Sequence, residues 1–323
     1  MKKRALLIIV TFMISCLKIE IILAANITVD DILNKLQQNI ISMNDLKAEV
    51  SIITSIDTKE VSLEKMRFFF KPILNQVACI LAQSDDDANR FIALGASPRI
   101  VSVCGNIKFD LQTQVPDNQT YRQLKQCWGE QRPVLIAAST HDDEERQLLM
   151  CLATLTEAIP DLLLLIAPRH PERFRTVYQM SKEQGVNTAR RSEPETIDAN
   201  TEVIVIDSLG ELLGFYQLCD FAFVGGSLVP VGGHNVLEPI AMKIPVFTGP
   251  HIQNSKSVCR DLCAAGAMQV VDDIDALVVA LKTMHEDKSH RQHQVANANA
   301  ILTANQGSLA RHMEKIEALI SVI

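Results

Sequence analysis

The stretch Phe223–Pro250, FVGGSLVPVGGHNVLEPIAMKIPVFTGP, frames a turn of Gly, Ser, His, Asn and Glu between two apolar runs. It predicts a strand, a glycine-rich turn, a short helix and a second strand. The first run, Phe221–Val224, ends in Gly225-Gly226-Ser227, and Gly232-Gly233 let backbone N–H groups approach a ligand with no Cβ in the way. His234-Asn235 precede the helix Val236–Met242, whose first turn carries Glu238. Amide N–H groups at a helix start suit an anion such as phosphate, and a carboxylate there accepts hydrogen bonds from a ribose diol. A glycine turn required only for tight packing is the alternative; the two diglycines, the cap Asn and the early Glu favour a nucleotide site.

Working outward, the pattern from Pro133 onward is regular α/β. Val134–Ala138 and Asp161–Ala167 are apolar strands around a helix Asp143–Ala158, as a parallel sheet covered on both faces requires. The series continues with strand Glu202–Ile206, helix Glu211–Leu218, strand Phe221–Gly225, helix Val236–Met242, strand Pro245–Thr248 and helix Lys256–Ala265. Two terminal helices follow, Asp273–Glu286 and Lys288–Ile320. The fold class is α/β, with a doubly wound Rossmann-like domain in the C-terminal part. Ahead of it lie a helix at Leu63–Leu74, a strand at Cys79–Gln83, a helix at Asp85–Leu94 and a strand at Ile100–Cys104.

Each motif loop follows a strand, where ligands of open parallel sheets sit. Pro168-Arg169 follow one strand and present a guanidinium suited to a phosphate; a plain surface charge is the alternative. Leu209-Gly210-Glu211 follow another, where backbone groups suit a base, although Glu211 as an ordinary first-turn acid is nearly as good a reading. His141, His170, His234 and His251 all fall in motif loops at spacings unlike those of a metal site, and none stands out as catalytic over structural.

Taken together, Gly105-Asn106-Ile107-Lys108-Phe109-Asp110, Ala138-Ser139-Thr140-His141, Pro168-Arg169-His170-Pro171-Glu172-Arg173, Asp207-Ser208-Leu209-Gly210-Glu211 and Gly249-Pro250-His251 resemble, in order and spacing, the GT-B glycosyltransferases that transfer 3-deoxy-D-manno-octulosonic acid (Kdo). The resemblance runs from about Leu63 to the C-terminus. It implies a GT-B fold and transfer of Kdo from CMP-Kdo to a lipid A precursor, with inversion, in lipopolysaccharide synthesis at the cytoplasmic face of the inner membrane. It also implies that the last helix packs back across the interdomain cleft. Pro168 and Arg169, Leu209, Gly210 and Glu211, and Asn235, Val236, Leu237 and Glu238 are then expected to bind CMP. Lys108 is expected to offset charge developing in the transition state. No cofactor and no metal are expected, because a monophosphate-linked donor lacks the diphosphate that usually calls for Mg²⁺.

Composition agrees with a globular enzyme. The chain has 323 residues, 47% hydrophobic and 21% charged, which is enough apolar surface for two cores. A net charge of −7 opposes nucleic acid as a partner. Eight cysteines are scattered, several inside apolar runs and none in a CxxC pair, which predicts buried free thiols in a reducing compartment.

The N-terminus contradicts that compartment. Met1-Lys2-Lys3-Arg4 followed by Ala5–Leu17 has the basic and apolar regions of a secretory signal, too short for a confident membrane span, with a passable cleavage site at Leu23-Ala24-Ala25. Residues Ile27–Ile56 read as an amphipathic helix running into an alternating strand, an opening that resembles periplasmic lipoprotein carriers. The expected division is a signal-like segment 1–25, an unrelated leader 26–62, a remnant of the acceptor domain 63–116 and a CMP-Kdo-binding domain 117–323. On that division the general base of the inverting transfer falls in the replaced part, and transfer by the chain is impaired. The alternatives are a non-catalytic CMP or nucleotide-sugar-binding remnant and, on the leader alone, a periplasmic lipid carrier.

Overall fold

A computed structural model describes residues 63–110 and 118–320, so the readings of residues 1–62 lie outside the described residues. The described chain divides into two compact units, 63–110 with 305–320 in one and 118–304 in the other. The expected boundary therefore shifts at both ends. The final helix, assigned from sequence to a domain 117–323, groups instead with residues 63–110.

In the first unit, strands β1 (Ile80–Ala82) and β2 (Val101–Val103) pair in parallel. The helix Asp85–Ala93 links them, because Ser84 caps its start by accepting from the Asp87 N–H (3.1 Å) and three Asp fill its first turn. Leu74, Val77, Ile80, Phe91 and Ala96 form its core. The helix Leu63–Leu74 has the bounds expected from sequence. The last helix, Ser308–Ile320, is anchored by Asp110. Its carboxylate accepts from the N–H groups of Gly307 (2.6 Å) and Leu309, while Ser308 Oγ and Arg311 Nε both donate to the Cys104 carbonyl at 2.9 Å.

The second unit is built on a seven-stranded, wholly parallel sheet in the order β5-β6-β4-β3-β7-β8-β9. The strands are β3 (Val134–Thr140), β4 (Leu163–Pro168), β5 (Thr188–Arg190), β6 (Val203–Val205), β7 (Phe221–Val224), β8 (Val246–Thr248) and β9 (Gln269–Val270). Alternate residues of β3 enter opposite cores. Leu135 and Ala137 pack with Leu148, Leu152, Leu155, Leu277 and Leu281 on one face; Val134, Ile136 and Ala138 pack with Tyr121, Trp128, Phe215 and Tyr216 on the other. Both faces are covered, so the central strands read as continuous apolar runs, and each buried leucine contributes roughly 1.5–3 kcal/mol.

The helix expected at 143–158 is interrupted at Cys151 (φ −91, ψ 5), whose thiol donates back to the Leu148 carbonyl. The helix expected at 288–320 is two, Lys288–Asn305 and Ser308–Ile320, broken where Gly307 takes φ +81. The strand expected from Asp161 begins two residues later, because Asp161 itself turns through φ +63. Helices Asn118–Trp128 and Phe174–Glu183 and strands β5 and β9 are additional to the sequence reading. Among the described residues, no helix is long and apolar enough to cross a membrane. Of the seven free cysteines described, Cys104, Cys151, Cys219 and Cys259 are buried, Cys79 and Cys263 partly so, and Cys127 is exposed.

Candidate functional site

Chain order reverses beside β3: β4 lies on one side and β7, three strands later, on the other. The crevice outside the carboxyl ends at such a switch point is where doubly wound sheets bind ligands. The end of β3 is shaped by a bulge, with the β3–β4 register shifting between Ala138 and Thr140 and Ser139 held at φ +55. Thr140 turns inward as a result, and its hydroxyl donates to Glu145 at 3.1 Å.

Glu144, fully buried, ties this end to the glycine-rich turn. Its carboxylate accepts from the N–H groups of Gly226 (2.7 Å), Ser227, Leu228 and His141 (each 2.9 Å). Gly225 is needed for this approach: a Cβ there would lie 2.8 Å from Glu144 Oε2 and 2.8 Å from the Thr140 Cα. The turn amides of Gly226, Ser227 and Leu228 therefore hold a protein carboxylate, and of the Gly232-Gly233 pair expected to face a ligand the Gly233 N–H is taken up by the Gly226 carbonyl (2.7 Å). Neighbouring Glu145 is also fully buried and meets Arg173 (3.2 and 3.3 Å), which in turn meets Asp142 (2.8 Å). Burial pushes the Glu145 carboxyl up, opposed by Arg173.

Over this base stand three imidazoles and a guanidinium. His141, after β3, and His234, after β7, bring their Nε2 atoms to 2.8 Å with ring planes 3° apart and centroids 5.0 Å apart, so the rings meet tip to tip. His170, after β4, approaches His141 edge-on at 5.2 Å. Burial lowers His234 to about 4, helped by the charges of His141, Arg169 and His170. Burial also lowers His141, against the pull of Glu144 and with Arg169, Arg173 and His170 adding to it. Among the described residues, no three His, Cys, Asp or Glu side chains are grouped to hold a metal ion.

The residues expected to bind CMP all lie in the second unit. Pro168 is buried as the last residue of β4, and Arg169, half-buried, is fixed by its N–H donating to the Thr140 carbonyl (2.9 Å). Asn235 accepts from the Leu237 N–H (3.1 Å) and donates to Glu238 Oε1 (3.0 Å), capping the helix Leu237–Ala241 and orienting the carboxylate. Val236 and Leu237 are buried beneath it. Burial raises Glu238, with Asn235 and the Arg169 guanidinium holding it partly down. The Arg169 charge thus bears on His141, His234 and Glu238 alike.

The third segment follows β6, the neighbour of β4. Leu209 is 71% exposed, Gly210 takes φ +79 with open space around it, and Glu211 is neither free nor a simple first-turn acid. Glu211 pairs with Arg191 (2.9 Å) and accepts from Ser208 and Tyr121. Lys108 lies in the first unit, half-buried on the turn Ile107–Phe109 that Asn106 caps by accepting its N–H (3.0 Å). Sequence reasoning missed Glu144, Glu145 and Arg191, named Arg173 only as part of a motif, and did not pair His141 with His234. The first two look like ordinary first-turn acids, and the histidines stand 93 positions apart.

Residues 50–111 match the family described as 3-Deoxy-D-manno-octulosonic-acid transferase (kdotransferase). That match begins ahead of Leu63, so residues 50–62, read above as unrelated leader, are part of the family likeness. A 3-deoxy-D-manno-octulosonic acid transferase of Haemophilus influenzae is 37% identical over 254 residues, covering 78% of this chain and 60% of the relative. One of Bordetella pertussis is 34% identical, covering 74% and 56%. The chain therefore spans somewhat over half the length of these curated relatives. The crystal structure of the C-terminal CMP-Kdo binding domain of WaaA from Acinetobacter baumannii is 35% identical with a TM-score of 0.55, covering 57% of this chain and 97% of that domain.

Proposed function

Because the chain belongs to the 3-deoxy-D-manno-octulosonic-acid transferase family, we propose that it transfers Kdo from CMP-Kdo to a lipid A precursor, using the second unit to bind the donor. One observation carries this reading: Arg169, Glu238 and the imidazole pair converge at the switch point of a sheet whose relative, almost wholly covered, is a CMP-Kdo binding domain. Arg169 supplies the charge for the donor phosphate, with Pro168 fixing the backbone before it. Asn235 aims Glu238 at the ribose hydroxyls, and the helix over Val236 and Leu237 holds that carboxylate in place. Leu209 and Gly210 offer exposed backbone to the cytosine, and Arg191 locks Glu211 beside them. Lys108, by the family resemblance, keeps its proposed role of offsetting charge in the transition state. The donor needs no cofactor on this reading, and the acceptor places the reaction at the cytoplasmic face of the inner membrane.

The experiment is a thermal shift of the full chain with CMP. Binding raises the melting temperature by mass action, and Arg169→Ala and Glu238→Ala reduce the shift. An unchanged shift in both variants would assign these residues to structure. A protein that binds the nucleotide without turning over donor and acceptor would favour the non-catalytic nucleotide-sugar-binding reading.

A further inference from the structure

The His141–His234 contact has two chemically consistent neutral forms, which differ only in which ring donates. Both contacting atoms are Nε2, 2.8 Å apart, so one imidazole carries its proton on Nε2 and donates it to the bare Nε2 of the other. The donor ring then has a bare Nδ1. A further proton from solvent adds there without disturbing the N–H···N bond. A second added proton would place N–H against N–H across 2.8 Å, so the pair accepts one proton and no more. The rings are seated by Gly226, where a Cβ would come 2.8 Å from His234 Cδ2, 2.9 Å from His234 Nε2 and 3.3 Å from His141 Cδ2. Charged groups around the pair are Arg169, Arg173, His170 and Glu144 at His141, and Arg169 and His170 at His234. The Glu144 carboxylate is held by four backbone N–H groups, and Arg173 is paired with Glu145 and Asp142.

We propose that His141 and His234, beside Arg169, form an anion seat that takes up one proton from solvent when the phosphodiester of a nucleotide sugar binds. The inference rests on the donor-site reading above and adds that donor binding and protonation are linked. With the seat empty, burial and the Arg169 charge keep the pair neutral at pH 7. The bound anion offsets that charge, the pair protonates, and the added N–H donates to the anion. Affinity then rises as pH falls, by up to about tenfold per pH unit below the bound-state titration.

The test is calorimetric titration of the full chain with CMP methyl ester, a phosphodiester whose own charge is constant across neutral pH, in two buffers of different ionisation enthalpy at about pH 7. Wild type is expected to take up a substantial fraction of one proton per ligand bound. His141→Gln and His234→Gln, each keeping a hydrogen-bonding side chain, are expected to bind with uptake near zero, whereas Glu238→Gln keeps it. Wild-type binding with no proton exchange, or unchanged uptake in both histidine variants, would overturn the inference while leaving the donor site standing. Failure of wild type to bind the probe would overturn both.

Discussion

Arg169 is the residue on which the site turns, since its charge bears on the imidazole pair and on Glu238 alike. Arg169→Ala and Glu238→Ala are each expected to weaken CMP binding by roughly 1–3 kcal/mol, the usual worth of a charge-assisted hydrogen bond, as read by calorimetry. His234 gives a pH signature in the unliganded protein. Its folded titration is depressed to about 4 while the unfolded chain protonates near 6.5, so the unfolded state binds more protons between these values. Stability is therefore full above about pH 6.5 and declines as pH falls toward 4. His234→Gln should flatten that decline, and a melting-temperature profile identical to wild type would assign the acid sensitivity elsewhere. Arg169 and Glu238 were legible because each follows a strand or opens a helix. Glu144 was not, because its role depends on N–H groups more than 80 positions away.

At the scale of elements, the glycine-rich turn is held by a buried carboxylate as well as by its own Gly233-to-Gly226 hydrogen bond. Glu144→Ala strands four backbone N–H groups, three of them on the turn after β7, and should destabilise the protein by at least about 3 kcal/mol in urea unfolding. A loss below about 1 kcal/mol would show that water substitutes for the carboxylate. In the first unit the family motif ending in Asp110 serves as a helix cap, so Asp110→Ala should cost about 1 kcal/mol of stability. The central strands were readable because parallel strands buried on both faces are apolar throughout. Strands β5 and β9, three and two residues long, are too short to show a period, and β9 is partly exposed. The break at Gly307 was missed because glycine alone does not tell a helix end from a tolerated interior glycine; the Asp110 cap that completes it comes from 197 positions earlier.

For the whole molecule, the order of motifs along the chain indicated the family and the α/β class, and a division read at 116/117 lies close to the one after Asp110. The last helix belongs with residues 63–110 through Ser308, Arg311 and Asp110, contacts that no local pattern announces. Residues 118–304 hold the seven-stranded sheet and every residue proposed to contact the nucleotide. The most direct measurement of that contact is calorimetric titration of CMP into the full chain. A saturable one-site isotherm is predicted, with a matching rise in melting temperature that corresponds to about 2.7 kcal/mol of stabilisation at a hundredfold excess over Kd. The absence of both heat and thermal shift at millimolar CMP would contradict it.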